Sequence, residues 1–116
     1  MSLNLKGGYI MMTIMELNEI LGVVANSGIK LTYIHMPEEC FASINGEICA
    51  GPLSNVISRG LKISEFTKNR IDSLMELIQC EFKFIICVSS KNGTSIRVAH
   101  NEYDKLSILE EDYFDY

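Results

Sequence analysis

The first sustained apolar pattern along the chain has a helical period. Leu17, Ile20, Leu21 and Val24 recur three and four residues apart, which gathers them on one stripe of an α-helix. Thr13 stands three residues ahead of Glu16 at the start of that stripe. In such a capping box the threonine hydroxyl accepts from the backbone N–H of Glu16. The glutamate carboxylate reaches back and sits favourably at the positive end of the helix. Asn26-Ser27-Gly28 stops the helix, because Gly28 adopts a positive φ at little cost.

The pattern then changes to a strand-like one. Residues Ile29–Met36 are rich in β-branched and aromatic side chains and predict a strand. Pro37-Glu38-Glu39 forms a polar turn, and Cys40–Ile44 a second strand. Asn45-Gly46 is a short hairpin signal that returns the chain through Glu47–Ala50.

Gly51-Pro52 opens a short helix whose core side is Leu53, Val56 and Ile57, closed by Gly60. A longer helix starts after Ser64, a good N-cap, and runs to about Gln79. Its apolar residues Phe66, Ile71, Leu74, Met75, Leu77 and Ile78 cover nearly half the helix, which predicts that most of it is packed. Arg70 falls inside that arc. The favoured reading runs its stem along apolar surface with the charge in water; the alternative pairs it with Glu81 or a C-terminal carboxylate.

Glu81–Val88 is the clearest strand. Phe82, Phe84, Ile86 and Val88 share one face, expected to point inward against the long helix, and Glu81, Lys83, Ile85 and Cys87 share the other. The next strand is Thr94–His100. A three-residue turn at Lys91-Asn92-Gly93 pairs Val88 with Ile96, Ile86 with Val98 and Phe84 with His100, keeping apolar residues opposite one another. After Asn101 the pattern weakens, and Leu106, Ile108 and Leu109 suit either a short strand or a turn of helix.

The order α-β-β-β-α-α-β-β, without steady βα alternation, predicts an α+β fold: an antiparallel sheet of about five strands with helices packed on one face. At 116 residues the chain fits one domain, with residues 1–12 read as a leader or vector-derived segment, 13–109 as the domain and 110–116 as an acidic aromatic tail.

Composition narrows the picture. An apolar share of 47% and a charged share of 22% are those of a globular protein. No apolar run approaches the roughly 18 residues of a membrane span, so no membrane partner is expected. Cys40, Cys49, Cys80 and Cys87 form no C-x₂-C pair, which gives structural zinc and other metal sites no support and predicts free thiols in a reducing cytoplasm. The net charge of −5 is uneven: residues 102–116 hold six acids and one base, leaving nine of each in residues 1–101. That asymmetry speaks against direct nucleic-acid binding, which needs a basic face, and suits a basic protein partner.

Few residues suggest chemistry. His35 and Cys40 flank the Pro37 turn, and a four-residue loop sets them across from each other as a Cys–His dyad would require. The plainer alternative is a surface histidine near a half-buried thiol. Glu81-x-Lys83 resembles half of a metal-dependent nuclease motif, but an ordinary solvated charge pair accounts for it better. Gly51-Pro52 before a helix is read as an ordinary turn, and Arg59 as a favourable charge at a helix C-terminus. The tail is the most distinctive feature. Glu110, Glu111 and Asp112, with Tyr113, Phe114 and Tyr116 among them, suit aromatic anchors steered by acids toward a basic groove, with Glu38 and Glu39 contributing.

These observations favour a small cytoplasmic, non-enzymatic regulatory, inhibitor or immunity-type protein, expected to be a homodimer and to need no cofactor. The alternatives are a cysteine-dependent enzyme using Cys40 and His35, and a sensor holding a small ligand between sheet and helices.

Overall fold

The computed structural model describes the backbone of residues 11–113 and the side chains of residues 11–111. Four helices and five strands follow in the order α1 (Ile14–Asn26), β1 (Leu31–His35), β2 (Cys40–Ile44), β3 (Glu47–Cys49), α2 (Leu53–Gly60), α3 (Glu65–Gln79), β4 (Phe84–Ser90), β5 (Gly93–Ala99) and α4 (Glu102–Tyr113). The strands form one antiparallel sheet in the order β3-β2-β1-β4-β5, the α+β architecture expected.

Local chemistry sets the ends of the elements. At α1 the Glu16 N–H donates to the Thr13 hydroxyl at 3.1 Å and the Thr13 N–H donates to the Glu16 carboxylate at 2.9 Å, completing the capping box. Ser64 caps α3 by accepting from the Thr67 N–H at 3.1 Å. Between β2 and β3, Asn45 and Gly46 both have positive φ, 52° and 87°, as a tight two-residue hairpin demands.

The main core lies on the face of the sheet covered by α1, α2 and α3. Leu17, Leu21 and Val24 of α1, Leu53, Val56 and Ile57 of α2, and Ile71, Leu74, Met75 and Ile78 of α3 pack there on Leu31, Tyr33, Ala42, Ile85 and Cys87. Met12, within the segment read as a leader, is buried in this core. Burial pushes the Cys87 thiol up to about 12. Two hydroxyls tie α1 down: Ser89, fully buried, donates to the Leu21 carbonyl at 2.5 Å, and Thr94 donates to the Asn18 side chain at 2.8 Å.

The opposite face carries a second cluster, Ile34, Phe84, Ile86 and Ala99 beneath Ile108 of α4, with Met36, Val88 and Leu109 against it. The last part of the chain is therefore a helix that packs on the sheet. Its first turn is fixed by Asn101, whose side chain accepts from the Asp104 N–H at 2.8 Å.

Several expectations need correction. Phe84, Ile86 and Val88 face α4, and it is Ile85 and Cys87 that meet the main core. The run from Phe84 to Cys87 is buried throughout because both faces of β4 are covered. The hairpin register also differs: Ser90 pairs with Gly93 around Lys91-Asn92, so Val88 faces Ser95, Ile86 faces Arg97 and Phe84 faces Ala99. With α4 supplying the apolar cover on that face, cross-strand apolar matching no longer selects the register. Glu81 and Lys83 precede β4, because the Glu81 and Phe82 N–H groups both turn back to the Ile78 carbonyl. On α3, Phe66 and Leu77 are exposed, leaving a narrower buried face than their spacing suggested.

Arg70 does not simply extend into water. Its guanidinium donates to both oxygens of Glu16, at 3.0 and 3.2 Å, and lies 5.8 Å from the Phe66 ring centroid. The carboxylate in this pair is on α1.

Candidate functional site

The β1–β2 turn holds a close group of reactive side chains. His35 and Cys40 are the last cross-strand pair before Met36-Pro37-Glu38-Glu39, a loop closed by the Met36 N–H donating to the Glu39 carbonyl at 2.8 Å. The expected opposition is realised: Cys40 Sγ is 3.5 Å from His35 Nδ1. Two residues that the sequence did not single out complete the group. Tyr33, two positions before His35 on the same sheet face, places its hydroxyl 3.2 Å from Cys40 Sγ. Gln79, at the C-terminal end of α3, brings its side-chain nitrogen to 3.3 Å from His35 Nδ1. The period of two in β1 was a signal for Tyr33, whereas the approach of Gln79 depends on where α3 ends over the sheet.

The environment within this group is graded. Cys40 is exposed and Tyr33 almost wholly buried, with His35 between them. Burial raises the Tyr33 phenol above its ordinary value, and the bond to Cys40 adds to that effect, so the hydroxyl stays protonated. Partial burial lowers the His35 imidazole below its usual 6.5, favouring the neutral ring. A Gln79 amide donating to Nδ1 leaves that nitrogen as the acceptor and puts the ring proton on Nε2. Among the described residues no cluster of three or more His, Cys, Asp or Glu side chains is placed to hold a metal ion.

The acidic residues are distributed over two elements. Glu38 and Glu39 are exposed at the β1–β2 turn. Glu110 and Glu111 lie in α4, where Glu111 accepts from Arg97 at 3.3 Å and Glu110 is exposed. Asp112 and Tyr113 belong to the last turn of α4, their side chains outside the described set, and Phe114 and Tyr116 lie outside the described residues. Sheet register brings the turn and the start of α4 to the same end of the sheet. His35 faces Ile85, Phe84 faces Ala99, and α4 begins three residues after Ala99. Glu38, Glu39, Glu102 and Asp104 therefore crowd one end of the molecule. Lys105 partly offsets them, pairing with Glu102 while its ammonium sits 5.2 Å from the Phe84 ring centroid.

On the same outer face of the sheet as α4 stand two further apolar side chains, Phe41 and Ile48. Phe41 is directly opposite Ile34, and Ile48 opposite Ser43, which puts both on the α4 side. They are exposed, Ile48 to 76%, and α4 itself exposes Tyr103 to 77% and Leu106 to 53%.

The third expectation, a small-ligand pocket between sheet and helices, has a different counterpart. A groove of about 480 Å³ runs between α1 and α3, lined by Met12, Glu16, Ile20, Lys62, Thr67 and Arg70. Its most convergent charges, Glu16 and Arg70, already bind each other. No helix among the described residues is long and apolar enough to cross a membrane. Compared with protein-family models, with curated proteins and with solved structures, the chain matches none.

Proposed function

We propose that this chain is a small non-enzymatic interaction protein, a regulator, inhibitor or immunity-type protein that works by binding a basic protein. The observation that carries the reading is the company that exposed apolar and acidic side chains keep on one side of the molecule. Phe41, Ile48, Tyr103 and Leu106 offer apolar anchors, and Asp104 and Glu110 stand exposed on the same helix as two of them. Aromatic and aliphatic anchors with acids on the same helix suit a partner with an apolar patch in a basic surround, the acids steering the approach. The net charge of −5 acts in the same sense at longer range. Four free cysteines suit a reducing compartment, and cytoplasmic residence is part of the same proposal.

A second copy of this chain is the competing occupant of that surface, and the test separates the two. Affinity capture is run with the unaltered chain, with Phe41→Asp plus Leu106→Asp, and with Asp104→Lys plus Glu110→Lys, each checked for unchanged circular dichroism. The reading expects one basic protein held by the unaltered chain, lost with both variants, and released more readily as salt rises. Capture that survives both variants, or a surface filled only by self-association, overturns it.

A further inference from the structure

Cys40 differs from an ordinary surface thiol in what surrounds it. Its sulfur is exposed on one side and held on the other by His35 Nδ1 at 3.5 Å and the Tyr33 hydroxyl at 3.2 Å. Sulfur carries one hydrogen. With that hydrogen directed to Nδ1, the phenol donates to sulfur, so a proton acceptor and a proton donor both face the attacking atom. His35 is placed to receive the thiol proton, because partial burial favours the neutral ring and Nδ1 is the ring nitrogen that faces the sulfur, its single lone pair passing from the Gln79 amide to the thiol as the proton moves. Once Nδ1 is protonated, rotation of the Gln79 amide presents its oxygen to the new N–H.

We propose that Cys40 is a thiol–disulfide exchange site, with His35 as its proton acceptor, that reacts preferentially with small cationic disulfides. It stands independently of the docking surface described above. In the step, Cys40 Sγ attacks one sulfur of a disulfide RS–SR while the thiol proton passes to His35 Nδ1. The Cys40–S–SR bond forms and the S–S bond of the reagent breaks. The departing RS⁻ takes the proton from His35 and leaves as RSH. One disulfide is consumed and one formed, so the small disulfide is the only oxidant required. Charge preference comes from Glu38 and Glu39, both exposed and immediately ahead of Cys40 in the turn, which repel an anionic reagent and attract a cationic one.

The other cysteines provide internal controls. Cys87 is fully buried, Cys49 partly so, and Cys80 is exposed like Cys40. The full chain, reduced, is mixed with cystamine at neutral pH, quenched at intervals with acid and mapped by mass spectrometry for mixed disulfide at each cysteine. Cys40 is expected to react at least about tenfold faster than Cys80, a modest share of what a positioned base contributes. That lead collapses toward one in urea, where the geometry is gone, a comparison that needs no variant. His35→Gln is expected to bring Cys40 down to the Cys80 rate while leaving Cys80 unchanged. Replacing cystamine by the dianionic dithiodiglycolate is expected to slow Cys40 more than Cys80, the difference shrinking in high salt. Equal rates at Cys40 and Cys80 in the folded chain, or a lead for Cys40 that persists in His35→Gln, overturn the site. Equal rates with the two reagents overturn its charge preference.

Discussion

The Arg70 guanidinium lies 3.0 Å from the Glu16 carboxylate, joining the first turn of α1 to the middle of α3 across 54 positions of sequence. Glu16 thus closes a capping box and an interhelical ion pair at once. Arg70 is largely buried, with 16% of its side chain exposed, so its charge relies on this carboxylate more than a surface arginine's would.

That arrangement predicts a particular pH dependence. The Glu16 carboxyl is held below its ordinary 4.5, first by the Thr13 backbone N–H and then by Arg70. A carboxylate whose folded pKa is depressed contributes stability above its unfolded pKa, and that contribution disappears as pH falls through the folded value. Glu16→Gln is therefore expected to be less stable than the unaltered chain at neutral pH. The difference should begin to shrink below the ordinary carboxylate value and vanish once pH has fallen below the depressed folded value. Urea unfolding of both chains across pH checks it, and a difference independent of pH would refute the assignment.

A second tie joins α2 to α3. The Ser54 hydroxyl, almost wholly buried, donates to the Asp72 carboxylate at 2.6 Å. Ser54→Ala removes a donor to a charged acceptor and is expected to cost about 2 kcal/mol in denaturant unfolding. Asp72→Asn, which keeps an acceptor oxygen, is expected to cost less.

The packing of α4 on the outer sheet face predicts a difference between two apolar truncations. Ile86 is fully buried in β4, so Ile86→Ala is expected to lower global stability by about 3 kcal/mol. Ile108 anchors α4 from its own side. Ile108→Ala should speed amide exchange throughout Glu102–Glu111 while β4 amides stay protected. Equal loss of protection in both elements would mean that α4 is integral to the global unfolding unit.

The β4–β5 turn makes the fourth prediction. Gly93 has φ of 129°, and a Cβ there meets nothing within 4 Å, so the penalty for a side chain is conformational and not steric crowding. Gly93→Ala is expected to cost about 2 kcal/mol. The register Ser90–Gly93 places Ile96 opposite Cys87, which cross-strand nuclear Overhauser contacts would verify directly.

The fold was legible wherever a short stretch of chain carries its own reason. Thr13 with Glu16, Ser64 ahead of α3, and Asn45-Gly46 each satisfy backbone groups or dihedral needs within a few residues. The His35–Cys40 opposition was legible for the same reason, because a four-residue turn fixes which residues stand across it. α4 was less so. Its acids and Asn101 mark a helix start, but its apolar residues are few, and the stretch reads almost as well as solvent-facing tail.

Sequence by itself determined the number and order of most elements, the caps, the tight turns and the pairing of His35 with Cys40. Tertiary structure alone decided which face of β4 meets which helices, the β4–β5 register, the acid that receives Arg70, and the arrival of Tyr33 and Gln79 beside Cys40 and His35. The division follows from distance along the chain. Periodicity and capping are set by neighbours within about a helical turn or a hairpin. A strand apolar on both faces gives no local sign of which layer will cover each one.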